Sequence, residues 1–454
     1  MLPTSFVTFF SRVRQLSLTV SGAGRRLLAA RSARRLLVPL LFVLALTGCG
    51  TREHSDQERF DAFLNDCFQE YVSADTVTLH LKISDPSSYG IEENTSPSYG
   101  DFSVEKQQEL CDRSAELLEE LNSFDPDTLS EEGAFTWQIF KNFLESSAAS
   151  EDYILHQSLL GTNGLQSQIP VTLSEYYFDD EKDIQDYLAL VNQVPELFDQ
   201  LLVFEQQRRD TGLISPDFVL NDTIEQIDQF LNASEEDNLL IETFEDKIEN
   251  VPDLGGDQKQ TYINNNRSLI RQVVLPAFES LRNSLKEYLD DSDSGKERLC
   301  QYGGGKEYYK LLLSANVGTD MTPEECITAL ENTLQETASD IVALTRENPD
   351  LYTDYLAAEP SLTDAQEILT ELENDTYIDF PEPPDVSYTL KNVPDVLAST
   401  SASAFYLLPP IDSDDANIIY INQSRVSDEE QFSTLAHEGY PGHLYQTNYY
   451  LSTD

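Results

Sequence analysis

From Ile184 to Leu202 the apolar residues fall at Ile184, Leu188, Val191, Phe198, Leu201 and Leu202, the spacing that lines one face of a helix. Pro195 lies inside this run and predicts a kink, because its ring removes an N–H and crowds the carbonyl one turn back. The same period returns over Tyr262–Leu289, with Leu269, Val273, Leu281 and Leu285 on the buried side. Further helices are expected near 103–123, 130–147, 222–249, 323–346 and 363–373. "SDQE", Ser55 to Glu58, has the spacing of a capping box before another apolar-periodic run. A chain so persistently helical must bury helix faces against each other, so the expected fold is mainly α. Its 454 residues leave room for two or three domain-sized units or one large helical enzyme.

The pattern changes at "DFPEPPDVSYTL", where Pro381, Pro383 and Pro384 exclude a helix and mark a connector. Beyond it, "ANIIYINQS" places Ile418, Ile419, Tyr420 and Ile421 in a short β-rich run. "SDEE", Ser427 to Glu430, is a second capping box and opens a helix that carries His437 and Glu438. The expected organisation is a leader over 1–48, a tether over 49–55, a helical domain over 56–380 and a distinct region over 381–454 with a small β element. Two stretches imitate ligand loops. "GGGKE" at Gly303–Glu307 lacks the earlier glycine of a phosphate loop and has Glu307 where a hydroxyl is needed. "DDSDSG" at Asp290–Gly295 is followed by Gln301 where a calcium loop carries its bidentate glutamate.

Charge removes one class of function. Acidic residues outnumber basic ones 81 to 29, and seven of the arginines sit in the first 48 residues, where there is no acid. The remainder repels phosphate backbones, so nucleic acid is not an expected partner. Arg34 and Arg35 precede the apolar run Leu36–Leu46, which has signal-peptide length and is too short to span a bilayer. The run ends in "LTGC", which looks like a bacterial lipobox; lipid on Cys49 would anchor the protein to the extracytoplasmic face of a membrane. Four other cysteines remain, with no C-x-x-C pair, which disfavours a cysteine zinc site. An exported protein pairs an even number of them most simply as Cys67–Cys111 and Cys300–Cys326, with buried free thiols as the alternative.

The chemistry is concentrated in "LAHEGYPGHLYQ", Leu435 to Gln446. Imidazoles suit zinc, and a hydrolytic site also needs a carboxylate beside its water. Here His437 and His443 flank Glu438, but six residues separate the histidines where H-E-x-x-H has four. On a straight helix that spacing rotates them about 240° apart. Pro441 and Gly442 lie between them, and Pro441 clashes with the carbonyl of His437 in a continuous helix. The helix must therefore open or bulge, and this can bring His443 back beside His437. The bland alternative is a helix end, a turn and a surface histidine.

The segment resembles the signature of a large bacterial family, the domain of unknown function 885, written His-Glu-x-x-Pro-Gly-His-x-x-Gln. "DYLALVNQVPELFDQLL", "GKEYYKLLL", "TDMTPEE" and "AFYLLPP" are similar to that family's helical and pre-motif segments, so the likeness covers most of the chain. The resemblance implies a zincin-like metallopeptidase, largely helical around a small sheet. Carried over by position, it makes His437 and His443 zinc ligands and Glu438 the general base, with Gln446 at the motif's last position. The run Ile418–Asn422, through Ile419, Ile421 and Asn422, is expected to pair with an extended peptide substrate, as zincin-type proteases use a sheet edge. The family's third ligand, a glutamate on a later helix, is expected after the motif, whereas the sequence ends at Asp454; the expectation is a C-terminally truncated chain with an incomplete catalytic region. A non-catalytic surface lipoprotein that binds peptide, partner or metal is the competing reading.

Overall fold

The computed structural model describes residues 55–93, 95–235, 238–290, 298–357, 360–382, 384–394, 398, 402–413 and 417–452. The arginine-rich leader, Cys49 and all but the first residue of the acidic run Asp290–Gly295 lie outside these residues.

The fold is mainly α with one small sheet. Its first core lies among α1 (Asp56–Val72), α2 (Thr76–Lys82), α3 (Val104–Leu121) and α4 (Glu131–Ala149). Ser55 caps α1 as its sequence predicts: its hydroxyl accepts from the Glu58 N–H at 3.2 Å and the Glu58 carboxylate accepts from the Ser55 N–H at 2.9 Å. Phe63 then packs between Phe124 and Phe140, with ring centroids 5.5 and 6.0 Å away.

A second, larger core is built by α5 (Leu165–Glu175), α6 (Glu181–Asp210), α7 (Asp217–Asn232), α8 (Leu239–Glu249), α9 (Gly256–Leu269) and α10 (Leu275–Asp290). α6 is its axis. Ile184, Leu188, Val191, Phe198 and Leu201 are all buried, each contributing roughly 1.5–3 kcal/mol of apolar burial. Pro195 sits inside α6 without ending it. A π turn over Ile270–Val274 joins α9 to α10, which accounts for the single run expected over Tyr262–Leu289. The wider turn shifts the buried face by a residue, so Val274 and not Val273 is in the core. The helix expected over 222–249 is two helices. α7 stops at Asn232 before a polar stretch, and Asn238 caps α8 by accepting from the Leu240 N–H at 3.1 Å.

All four described cysteines are free, which corrects the expected pairing. Cys67 belongs to the first core, whereas Cys111 packs with Ile154 and Phe204 in a separate cluster, its sulfur 3.5 Å from the Ser150 hydroxyl. Burial pushes the Cys67 thiol up to about 12, so it stays protonated and acts as a small apolar side chain.

After α11 (Gly305–Val317), α12 (Pro323–Glu347) and α13 (Leu351–Ala357), the chain forms the layer that carries the histidines. It comprises α14 (Ala365–Asp379), β1 (Tyr388–Asn392), β2 (Ala404–Leu407), β3 (Asn417–Ile421), α15 (Asp428–Glu438) and α16 (His443–Ser452). The layer begins at α14, ahead of the proline connector, because Ile368, Leu369 and Leu372 pack with the sheet. Strand order is β1-β3-β2, with β1 parallel and β2 antiparallel to the central β3. Both faces of β3 are covered: Ile419 and Ile421 face α14–α16, while Tyr420 and Ile418 meet Leu239 of α8 and Val171 of α5. That double burial is why the strand reads as an unbroken apolar run. Glu175, at the end of α5, accepts from the Tyr420 hydroxyl and from the Lys391 ammonium at 2.9 and 3.1 Å, tying the sheet to the helical body.

Candidate metal centre

Ser427 starts α15 by the expected capping box: its hydroxyl accepts from the Glu430 N–H at 3.3 Å, and the Glu430 carboxylate accepts from the Ser427 N–H at 3.4 Å. Leu435 anchors the helix in the layer's core, and the Gly439 N–H makes the last helical bond, to the Leu435 carbonyl at 2.8 Å. α15 therefore ends at Glu438, and α16 begins at His443.

The four residues between are packed too closely for side chains at either glycine. A Cβ on Gly439 would lie 2.2 Å from the Leu369 side chain, and one on Gly442 would lie 1.8 Å from the His437 carbonyl. Tyr440 plugs the space beneath, 1% exposed, and the Tyr440–Pro441 bond is cis. The helix opens into a break between two helices. As a result the His437 and His443 rings stand 4.7 Å apart, centroid to centroid, and nearly perpendicular at 84°. His437 is exposed and His443 half-buried, so both imidazoles border solvent.

Glu438, between them in sequence, is buried at 8% exposure, and its carboxylate accepts from the Tyr406 N–H of β2 at 2.8 Å. A charged acceptor held by a backbone donor of a sheet edge is fixed in position. The Tyr406 ring lies along His443, with centroids 6.5 Å apart, and its hydroxyl donates to the Asn417 side chain at 2.6 Å. Asn448 of α16 donates to the same oxygen at 3.0 Å. Burial pushes the Tyr406 phenol up to about 12, so it remains a donor. Tyr406, Asn417 and Asn448 form the wall behind His443. Periodicity gave no sign of them, since they come from two strands and a helix that only the fold brings together.

The other predicted contacts lie elsewhere. Ile419 and Ile421 are in the core, and Asn422 is fully buried with its amide donating to the Ala398 carbonyl at 2.7 Å. β3 is hydrogen-bonded on both sides, so it has no free edge for an extended peptide; the edge strand nearest the histidines is β2. This corrects the assignment of Ile419, Ile421 and Asn422 as substrate contacts. Gln446 is exposed on α16.

The two imidazoles fit two of the three protein donors that a catalytic zinc takes. Among the described residues no group of three or more His, Cys, Asp or Glu side chains is gathered closely enough to hold a metal ion. Also among the described residues, no helix is long and apolar enough to cross a membrane.

Residues 86–454 match the family described as "Bacterial protein of unknown function (DUF885)". No curated protein matches the chain. Of the solved structures, a "putative lipoprotein" from Colwellia psychrerythraea is similar, with a TM-score of 0.74 at 17% identity over 87% of this chain and 73% of the other. At that identity the likeness is one of fold.

Proposed function

The chain belongs to the DUF885 family of bacterial proteins, and from that premise we propose that it is a zinc-dependent hydrolase of peptides, lipid-anchored at the extracytoplasmic face of a membrane through Cys49. The observation that carries the reading is the convergence of His437 and His443 at a helix break beside the buried carboxylate of Glu438. The signal-like leader ending at Cys49 and the similarity to a protein described as a lipoprotein support the anchor.

In this reading His437 and His443 would hold the metal, and zinc bound there would supply Lewis-acid polarisation of the scissile carbonyl. Glu438 takes a proton from the attacking water as the new C–O bond forms, then returns it to the amine nitrogen as the C–N bond breaks. The Tyr406 N–H keeps the Glu438 carboxylate in place through this exchange. The outer edge of β2 is the side from which an extended peptide approaches.

The test is Glu438→Gln in the full chain. It should retain stoichiometric zinc and lose peptide cleavage by roughly 10²–10⁴-fold, the range of a general base. His437→Ala should lose the metal. Undiminished cleavage by Glu438→Gln refutes the assignment. The two-donor set among the described residues favours a second reading, a non-catalytic lipoprotein that binds peptide or partner. Absence of both stoichiometric zinc and cleavage, in a chain shown to be full length, would favour it.

A further inference from the structure

His80 of α2 is 8% exposed and lies flat between Tyr176 and Tyr177, in the link from α5 to α6, with ring centroids 3.6 and 3.7 Å away. Both faces of the imidazole are covered, so only its edge can meet the cavity of about 140 Å³ that it borders. On that edge Nδ1 is 3.7 Å from Asp183 Oδ1, and the buried Nε2 has no hydrogen-bond partner. Buried polar atoms are as a rule satisfied, and a donor held in the cavity would satisfy this one.

The wall specifies the ligand. Glu93, Asp179, Asp180, Asp183 and Asp186 line the cavity, and among the described residues that border it Lys182 is the one cation. Lys182 is already committed, its ammonium 2.5 Å from both Glu93 and Asp186. The start of α6 fixes two of the acids: Asp180 accepts from the Lys182 N–H at 2.7 Å, and Asp183 accepts from the Asp179 N–H at 2.8 Å. Backbone donors orient these carboxylates and leave their charge in place. Burial keeps His80 neutral, and the Asp183 carboxylate favours the ring proton on Nδ1, which leaves Nε2 an acceptor. The cavity therefore offers acceptors and negative charge, with no uncommitted cation for an anionic group. A bare metal ion does not fit, because among the described residues no three such side chains gather closely enough to hold one. At roughly 10–15 Å³ for each water-sized centre, the space takes a ligand of about ten non-hydrogen atoms. We propose that the cavity binds a short aliphatic polyamine, whose ammonium groups donate to Nε2 of His80 and to the carboxylates around it. The site shares no residue with the His437–His443 pair, and the inference is independent of the hydrolase reading.

Isothermal titration calorimetry of the full chain with spermidine tests it, at about 0.15 M salt to screen diffuse attraction to an acidic surface. One saturable site is expected. His80→Phe keeps a ring between the tyrosines and removes the acceptor, and should weaken binding by about tenfold or more. Asp179→Asn should weaken it about threefold; this carboxylate is exposed, so the fold does not depend on it. Glu331→Gln with Glu336→Gln, exposed on α12, removes two charges elsewhere and should leave the affinity unchanged. Cadaverine should bind at least about tenfold more tightly than lysine, which differs from it only by a carboxylate that the acidic wall repels. Melting temperatures check that each variant is folded. Binding that does not saturate, or that the α12 substitutions weaken as much as Asp179→Asn does, overturns the proposal in favour of diffuse attraction to the surface. So does an affinity indifferent to both His80→Phe and Asp179→Asn, or lysine bound as tightly as cadaverine.

Discussion

His80 lies between two tyrosines, with ring centroids 3.6 Å from Tyr176 and 3.7 Å from Tyr177. It borders a cavity of about 140 Å³ whose wall includes Lys182, Asp183 and Asp186. Burial, with the nearby charge of Lys247, pushes the imidazole down to about 3 from an ordinary 6.5, so the native ring is neutral. Below pH 6.5 the unfolded chain binds a proton that the native chain refuses, and stability falls as pH drops from 6.5 toward 3. Asp183 opposes this. Burial raises its carboxyl to about 6 from 3.8, so the native state takes its proton first and gains stability as pH falls across that interval. His80→Gln should therefore remove up to ~2 kcal/mol of the loss between about pH 6.5 and 5, and Asp183→Asn should steepen it. Urea midpoints measured against pH for the three proteins check both signs. An unchanged profile in His80→Gln would mean that the ring titrates alike in the native and unfolded states.

At the scale of elements, the candidate centre depends on how one helix stops and the next begins. Six residues on a straight helix would send the two imidazoles to different faces, and the break at 439–442 returns them to within 4.7 Å. Gly442 permits the closest approach in that break, its missing side chain leaving room for the His437 carbonyl. Gly442→Ala should force the two helix ends apart and weaken zinc binding by at least about tenfold, read by competition with a chromophoric chelator. The helical circular dichroism should persist, since α15 and α16 keep their own hydrogen bonds. Undiminished affinity would show that the turn does not set the pairing of the histidines.

The whole molecule works by bringing a thin sheet and its three helices against a large helical body. Glu175 is the principal polar tie, accepting from both Tyr420 and Lys391 across more than two hundred residues of sequence. A second tie is Ile411, which inserts into the first core while its N–H bonds the Lys82 carbonyl at 2.9 Å. Glu175→Ala leaves the buried Tyr420 hydroxyl without its acceptor and should cost about 1–3 kcal/mol, less for the half-exposed Lys391. The loss should be local. Hydrogen exchange should accelerate across β1 and β3 before it does in α1–α4, whereas uniform acceleration would mean that the layer and the body unfold as one unit.

Local chemistry was enough to place the two capping boxes, the long α6, the proline connector, the β-rich strand and the helix carrying His437 and Glu438. Each depends on neighbours within a turn or two, where helix spacing, an N-cap hydroxyl or a missing proline N–H acts directly. The pairing of the histidines was also legible, because Pro441 and Gly442 lie inside the interval they disrupt. The tertiary structure decided what distance along the chain conceals. β3 is the centre of its sheet, so Ile419, Ile421 and Asn422 are core residues and β2 is the edge strand nearest the histidines. Tyr406 reaches Glu438 across thirty-two residues, and Cys67 and Cys111 are buried in different clusters. An apolar residue reads alike whether it fills a core or lines a groove, since period reports which face is buried but not what covers it. α12 shows the same limit from the other side: its stripe is as regular as that of α6, yet among the described residues none of its side chains is buried.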